Sequence, residues 1–342
     1  MKVANIMLGR GRGGLENTFV AYCGVLSDLG YDVYAIVDPS AAVLPQLKIM
    51  QNIHITYFRQ HGIWDLLSKF RMKLLLEKKI KPALVFVRGG RAMSFVKASR
   101  NCFPIIPVVA NYNFKRLSKF KYVIAMTEDL KKSILNVTDI SSENIFILRH
   151  PVSVPQGEKN INSGIITLGS LGRFVAKKGF DTFLRSIALL RDRGLVFRAI
   201  LAGTGEEEAS LKALSYELKL NEFVEFPGWL SPSEFFQQVD IFCLPSYHEP
   251  FGIVLVEALA SHKTIVSTES EGPKEILTDQ FDALLVPVQN SEKLANALEL
   301  VLIDASLRKE LAENAYKTYE EKYTLEKIKN GLQGIITSVL SC

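Results

Sequence analysis

Glu249 and Glu257 stand eight residues apart, separated by a Pro250-Phe251-Gly252 turn and the start of an apolar run, Ile253 to Val256. Ionised carboxylates only accept hydrogen bonds, so the pair suits a ligand rich in donors, and sugar hydroxyls are the obvious class. The preceding stretch, 239–246, is short, apolar and β-rich, which predicts a strand, a loop and then a helix. A helix entered in this way presents free N–H groups at Gly252, Ile253 and Val254 and the positive end of its dipole, and a phosphate fits there. The competing reading is a buried loop–helix junction with two capping carboxylates. A second stretch, Gly172-Arg173 to Lys178-Gly179, follows a strand expected at 165–169 and precedes a helix starting near Phe180. Arg173 offers a planar fork of donors and Lys178 a mobile point charge, a combination that can hold two phosphates. Cations at a helix entrance oppose the dipole, so an anion is expected between them. Ala202-Gly203-Thr204-Gly205 ends the next strand and opens a helix at Glu206, a weaker signal because many such turns carry glycine.

Alternating strands and helices must position these loops. Strands are predicted at 3–8, 32–37, 54–58, 83–87, 105–110, 122–126 and 145–148. The first is followed by a glycine-rich loop at 9–14 and a helix over 15–29, and a basic helix over 65–80 stops before Pro82. The polar stretch 151–164, with Pro and Gly, is the best linker, placing one domain at 1–155 and another at 156–324. Strands restart near Ile165, Phe197, Val224, Asp240, Thr264 and Ala283, and helices over 291–303, 306–322 and 325–340 close the chain. The fold class is α/β, two doubly wound Rossmann-like domains, with ligands expected where strand carboxyl ends face a cleft.

With its Glu-x7-Glu pair at Glu249 and Glu257, its basic pair Arg173 and Lys178, and Gly13-Gly14-Leu15-Glu16 near its N-terminus, nearly the whole chain resembles the retaining glycosyltransferases of the GT-B fold, family 4. The resemblance implies that the C-terminal domain binds a nucleotide-diphosphate sugar, and that the helix 325–342 packs back on the N-terminal, acceptor-binding domain. Glu257 would grip the ribose hydroxyls, and Arg173, Lys178 and the amides of Gly252, Ile253 and Val254 would neutralise the leaving diphosphate. Glu249 would hold the transferred hexose, with Gly13, Gly14, Gly172, Gly203, Thr204 and Phe251 completing the donor site. The catalytic assignments are Glu249, Arg173 and Lys178. The stretch 225–230 would lie near the base, with Trp229 weighed as core more than as a stacking platform. The resemblance further implies a retaining transfer in which the departing phosphate oxygen takes the acceptor proton. Many family members carry a histidine after an N-terminal-domain strand, where this chain reads Asn111-Tyr112-Asn113. Asparagine binds a hydroxyl but carries no proton. His61, His150 and His248 are the other histidines considered, while His54 reads as structural and His262 as a cation at a helix C-terminus.

No metal is expected: the chain lacks Asp-x-Asp, Arg173 and Lys178 supply positive charge, and Glu206-Glu207-Glu208 reads as a dipole complement. The expected cofactor is therefore none beyond the donor substrate. Cys23, Cys102, Cys243 and Cys342 show neither metal spacing nor a disulfide framework. Neither a signal pattern nor an apolar run of the ~18 residues a membrane helix needs is present, so a cytoplasmic location is expected. Residues 1–155 hold 22 Lys+Arg against 10 Asp+Glu, and the remainder 19 against 26, a net +12 set against −7. The basic half predicts an anionic partner. One candidate contact is the helix carrying Trp64, Leu67, Lys69, Phe70, Arg71, Lys73 and Leu74, which suits an anionic membrane surface or, alternatively, a solvated basic face. Another is Lys115, Arg116, Lys119 and Lys121 beside Asn111 and Asn113, which with Glu16 are the candidate acceptor residues. The expected function is hexosyl transfer to a glycan or lipid-linked acceptor in cell-envelope polysaccharide or lipopolysaccharide synthesis. The alternatives are an inactive partner subunit or a basic nucleic-acid-binding protein, the latter lacking any nucleic-acid signature.

Overall fold

The computed structural model describes residues 1–11, 13–60, 65–97, 103–152 and 164–341. The chain divides into one unit of Met1–Pro151 with Leu325–Cys342, and a second of Val152–Thr324. The first unit is built from β1 (Lys2–Met7), α1 (Gly14–Asp28), β2 (Asp32–Val37), α2 (Leu44–Lys48), β3 (Ile53–Tyr57), α3 (Leu66–Leu74), β4 (Leu84–Arg88), α4 (Gly89–Phe95), β5 (Ile105–Val109), β6 (Val123–Ala125), α5 (Glu128–Val137) and β7 (Ile145–Ile147). Its seven strands run in the order β3-β2-β1-β4-β5-β6-β7, all parallel. A parallel sheet needs crossover helices that cover both faces, so β4 and β5 are buried at every residue.

The second unit comprises β8 (Thr167–Leu171), α6 (Phe180–Asp192), β9 (Arg198–Ala202), α7 (Glu208–Glu217), β10 (Val224–Glu225), α8 (Pro232–Phe236), β11 (Ile241–Leu244), α9 (Ile253–Ala260), β12 (Thr264–Thr268), α10 (Glu271–Ile276), β13 (Leu284–Val286), α11 (Ser291–Ile303) and α12 (Ala305–Lys322). Its sheet order is β10-β9-β8-β11-β12-β13, again parallel throughout. The core packs Phe180, Phe183 and Ile187 of α6 with Leu294, Leu298 and Val301 of α11 against the sheet. The final helix, α13 (Leu325–Ser341), belongs to the first unit and packs on α1. It buries Ile328, Leu332, Ile335, Ile336 and Val339, an i, i+4, i+7, i+8, i+11 stripe.

Several elements differ from expectation for local reasons. The strand expected at 165–169 begins two residues later, and α7 starts at Glu208 rather than Glu206, since Glu206 and Glu207 form a turn closed by Glu208 N–H donating to Gly205 O. The basic helix is α up to Leu74 and then a π-helical stretch, Leu75–Ile80, ending at left-handed Lys81 just before Pro82. The short helices α2 and α4 were not anticipated. His61, Trp64, Cys102, Cys342 and most of the expected linker lie outside the described residues.

Candidate functional site

Chain order reverses beside β8 in the second unit: β9 lies on one side and β11 on the other. Open parallel sheets bind ligands at this switch point, above the strand carboxyl ends. The loops after β8, β9, β11 and β12 all emerge there and lock together through backbone. Phe174 N–H donates to Thr204 O at 2.9 Å, Glu207 N–H to Phe174 O at 3.0 Å, and Tyr247 N–H to Lys177 O at 2.8 Å. Gly179 is left-handed (φ 65°), and a Cβ there would lie 2.1 Å from Pro245 O. Gly203 (φ 146°) is as tightly placed, 1.9 Å from Gly172 O. Only glycine fits both, because the conformation and the approach each exclude a side chain.

This interlock brings Lys178 to Glu249, 71 residues away, as a partly buried ion pair. The stem of Lys178 lies over Gly172, and a Cβ added to Gly252 would stand 3.2 Å from Glu249 Cγ. Arg173 sits on the same loop with its guanidinium exposed and engaged by no described residue. Gly252 (φ 88°) caps α9, and the N–H groups of Gly252, Ile253 and Val254 find no acceptor among the described residues. One turn further along α9, Glu257 is partly buried, and burial pushes its carboxyl up to about 7. No described side chain or amide donates to that carboxyl, so nothing offsets its desolvation.

Glu271, at the start of α10, was not picked out in the sequence. Its Oε2 accepts from Glu249 N–H at 3.1 Å and its Oε1 meets His248 Nδ1 at 3.0 Å, while Gly272 N–H donates to Glu249 O at 2.7 Å. Burial raises the Glu271 carboxyl, but hydrogen bonds from His248 and from backbone outweigh it and hold the group below the usual range. The available signal was a fourth strand–loop–helix junction, Ser270-Glu271-Gly272-Pro273 after β12. Tyr247 braces the same region through Thr182 and Asp181, each at 2.7 Å, and burial pushes its hydroxyl up to about 12. Thr204 is exposed, and its carbonyl takes the Phe174 amide. The Phe251 ring is buried against Tyr323, leaving only its backbone near the loop surface. Trp229 is 46% exposed rather than core, held beside the β9 loop because Gly203 N–H donates to Gly228 O at 2.8 Å.

In the first unit, Gly13 and Gly14 open α1, with Gly13 extended rather than left-handed. Glu16 folds back, its Oε1 3.0 Å from a Cβ position on Gly9, while Arg10 pairs with Asp38 at 3.1 Å. Asn111, Asn113 and Lys115 are exposed, and Asn111 Oδ1 accepts from Asn113 N–H at 3.0 Å to form a tight turn. Lys119 is not a free cation beside them: it donates to Met93 O at 2.6 Å and Val96 O at 3.2 Å, closing the end of α4. His150 is fully buried, and burial together with Arg88 drives it well below its ordinary value, so it is neutral. His262 is not the expected cation; it stacks on Tyr316 at 3.5 Å, and burial lowers its pKa. His54 pairs with Asp32 at 2.7 Å. Among the described residues no group of three or more His, Cys, Asp or Glu is placed to hold a metal ion, and Cys23 and Cys243 are free and buried.

Residues 156–318 match the model of the family described as glycosyl transferases group 1. Over 99% of both chains, this protein is 28% identical to the lipopolysaccharide core biosynthesis glycosyltransferase LpsE of Rhizobium meliloti. It is 26% identical to LpsD of the same organism over 96% of each chain. Among solved structures, Anabaena Alr3699/HepE in complex with UDP and glucose matches with a TM-score of 0.86 and 17% identity, covering 99% of this chain and 100% of that one. The lipopolysaccharide outer core galactosyltransferase WaaB in its apo form matches with a TM-score of 0.75 at 18% identity over 99% of both.

Proposed function

We propose that this protein, a glycosyltransferase with the GT-B fold whose residues 156–318 match the model of the glycosyl transferases group 1 family, transfers a hexose from a nucleotide-diphosphate sugar, with retention and without a metal, onto a lipopolysaccharide-core or other cell-envelope glycan. One observation carries the donor assignment: the Arg173 guanidinium and the Lys178 ammonium stand on the loop after β8, and the amides of 252–254 and the Glu257 carboxyl, without partners among the described residues, stand on the α9 entrance that this loop adjoins. The cations and amides match a diphosphate, and Glu257 matches the two ribose hydroxyls. The acceptor class follows the full-length likeness to LpsE and LpsD.

In this reading the acceptor hydroxyl attacks the anomeric carbon as the bond from that carbon to the β-phosphate oxygen breaks. The departing phosphate oxygen takes the hydroxyl proton on the same face, so no protein base is required. Arg173, Lys178 and the α9 amides stabilise the charge that develops on the diphosphate. Glu249, placed against Gly252 and aligned by Glu271, receives the sugar hydroxyls. Lys178 serves two anions, Glu249 before the donor arrives and the diphosphate afterwards.

A thermal-shift panel of UDP, GDP, ADP and CMP in the presence of EDTA tests this reading, since a ligand that binds only the native state raises Tm. A selective rise with one nucleoside diphosphate, lost in Lys178→Ala, is expected and names the base. No rise with any nucleotide would sink the donor assignment.

A further inference from the structure

The first unit carries an apolar ridge that its own packing leaves uncovered. On α3, Leu66 is 74% exposed, Leu67 77%, Phe70 59% and Leu74 40%, whereas Ser68 and Met72 on the opposite side are buried. At about 100° per residue, the four exposed side chains span about 100° of the helix circumference. Lys69 and Lys73 flank that stripe on one side and Arg71 on the other, so cations border it along both edges. Side chains as large as leucine and phenylalanine gain nothing from such exposure unless something covers them.

The charge around the ridge identifies the cover. Lys69 lies close enough to Lys119 to lower its pKa, burial being the larger cause, and Arg116 does the same. Lys69 of α3 and Arg116 thus share the neighbourhood of the captured Lys119. A second copy of this chain would set these cations against themselves, which like-charge repulsion disfavours. An anionic surface with an apolar layer beneath it satisfies both the stripe and its borders.

We propose that α3 is a membrane-docking ridge: Leu66, Leu67, Phe70 and Leu74 enter the boundary between headgroups and acyl chains of an anionic bilayer, and Lys69, Arg71 and Lys73 bind the lipid phosphates. A short helix lying in the interface uses this arrangement, apolar stripe inward and long cationic side chains reaching up to the headgroups. None of the described helices is long and apolar enough to cross a membrane. It depends on the first unit alone and stands or falls separately from the donor site.

The full chain is sedimented with vesicles of phosphatidylcholine and with vesicles that also contain phosphatidylglycerol. Binding is expected only to the anionic vesicles, weakened by salt through Lys69, Arg71 and Lys73. Leu67→Ser with Phe70→Ser is expected to lower the partition coefficient about tenfold or more, with Tm and the nucleotide-induced shift unchanged. Phe70→Trp keeps the stripe, so binding persists and its added emission moves to the blue with anionic vesicles. Failure of the wild type to sediment with them overturns the proposal, as does a double-serine variant that binds like the wild type. Wild-type self-association broken by the same substitutions, without lipid binding, overturns it in favour of a second copy.

Discussion

Replacing Glu257 with glutamine removes a carboxyl that burial lifts from 4.5 to about 7. Between those values the native state keeps a proton that the unfolded chain releases. The contribution of this group to stability is therefore fully present below 4.5 and declines as pH rises through about 7, by on the order of 3 kcal/mol. Glutamine has no such slope, so the ligand-free variant should melt with the wild type at low pH and above it beyond pH ~7. Donor binding runs the other way. Ribose hydroxyls stabilise the charged carboxylate and draw its pKa back down, so nucleotide binding near pH 7 should expel about half a proton from this group. Calorimetric titration of the nucleoside diphosphate in two buffers of different ionisation enthalpy counts that proton. The phosphate's own proton exchange is common to both proteins, so the difference between wild type and Glu257→Gln isolates the carboxyl. At high pH the variant should bind about 10–100-fold more weakly, the loss of a charged acceptor shared by two hydroxyls. Equal buffer dependence in the two proteins, together with unchanged affinity, would refute the assignment of Glu257 to the ribose.

The Lys178–Glu249 pair gives the opposite pattern: Glu249→Gln frees Lys178, so a bare nucleoside diphosphate should bind several-fold more tightly while kcat falls about 10²-fold. Weaker nucleotide binding in that variant would show that the pair aids the donor rather than competing with it. Gly179→Ala forces a side chain into a left-handed residue 2.1 Å from Pro245 O and should cost on the order of 3 kcal/mol, a fall in Tm of roughly 5–10 °C; an unchanged melt would contradict the interlock. Glu271→Ala releases His248 and the Glu249 amide, and should lower kcat about tenfold while leaving nucleotide affinity intact. The Glu271 carboxyl lies below its ordinary 4.5, so its stabilisation holds above that value and disappears as pH falls through the lowered one. The acid limb of the wild-type melting profile should accordingly be steeper than that of the alanine variant.

Elements whose signals are local were legible in the chain itself. The helix over 291–303 is expected and observed at the same bounds, and the structure shows the local signals that fix it: Asn290 caps it, accepting from Lys293 N–H at 2.9 Å, and an apolar stripe runs its length. Both α/β units were readable because fully buried parallel strands are runs of Val, Ile and Leu set between helices. Features that carry no local signal depend on tertiary approach. Helix α4 opens with Gly89-Gly90, a pair that by itself reads as a turn. The loops around Arg173 and Glu249 could be picked out singly, but the Lys178–Glu249 pair arises only when two loops 71 residues apart meet. Lys119 read as a surface cation, yet the end of α4 captures it. Trp229 reads as core by residue type, whereas it is 46% exposed, next to left-handed Gly228.

The four loops of the second unit touch one another backbone to backbone, with glycine at 179, 203, 205 and 272 filling the joints. Such joints leave no slack for insertion or deletion, because lengthening one loop would displace the other three. Tuning of donor preference is then left to side chains that face away from the joints, such as exposed Thr204 and Trp229. Anyone wishing to recode donor preference by grafting should move the loops after β8, β9, β11 and β12 as a single cassette, and should expect single-loop chimaeras to misfold.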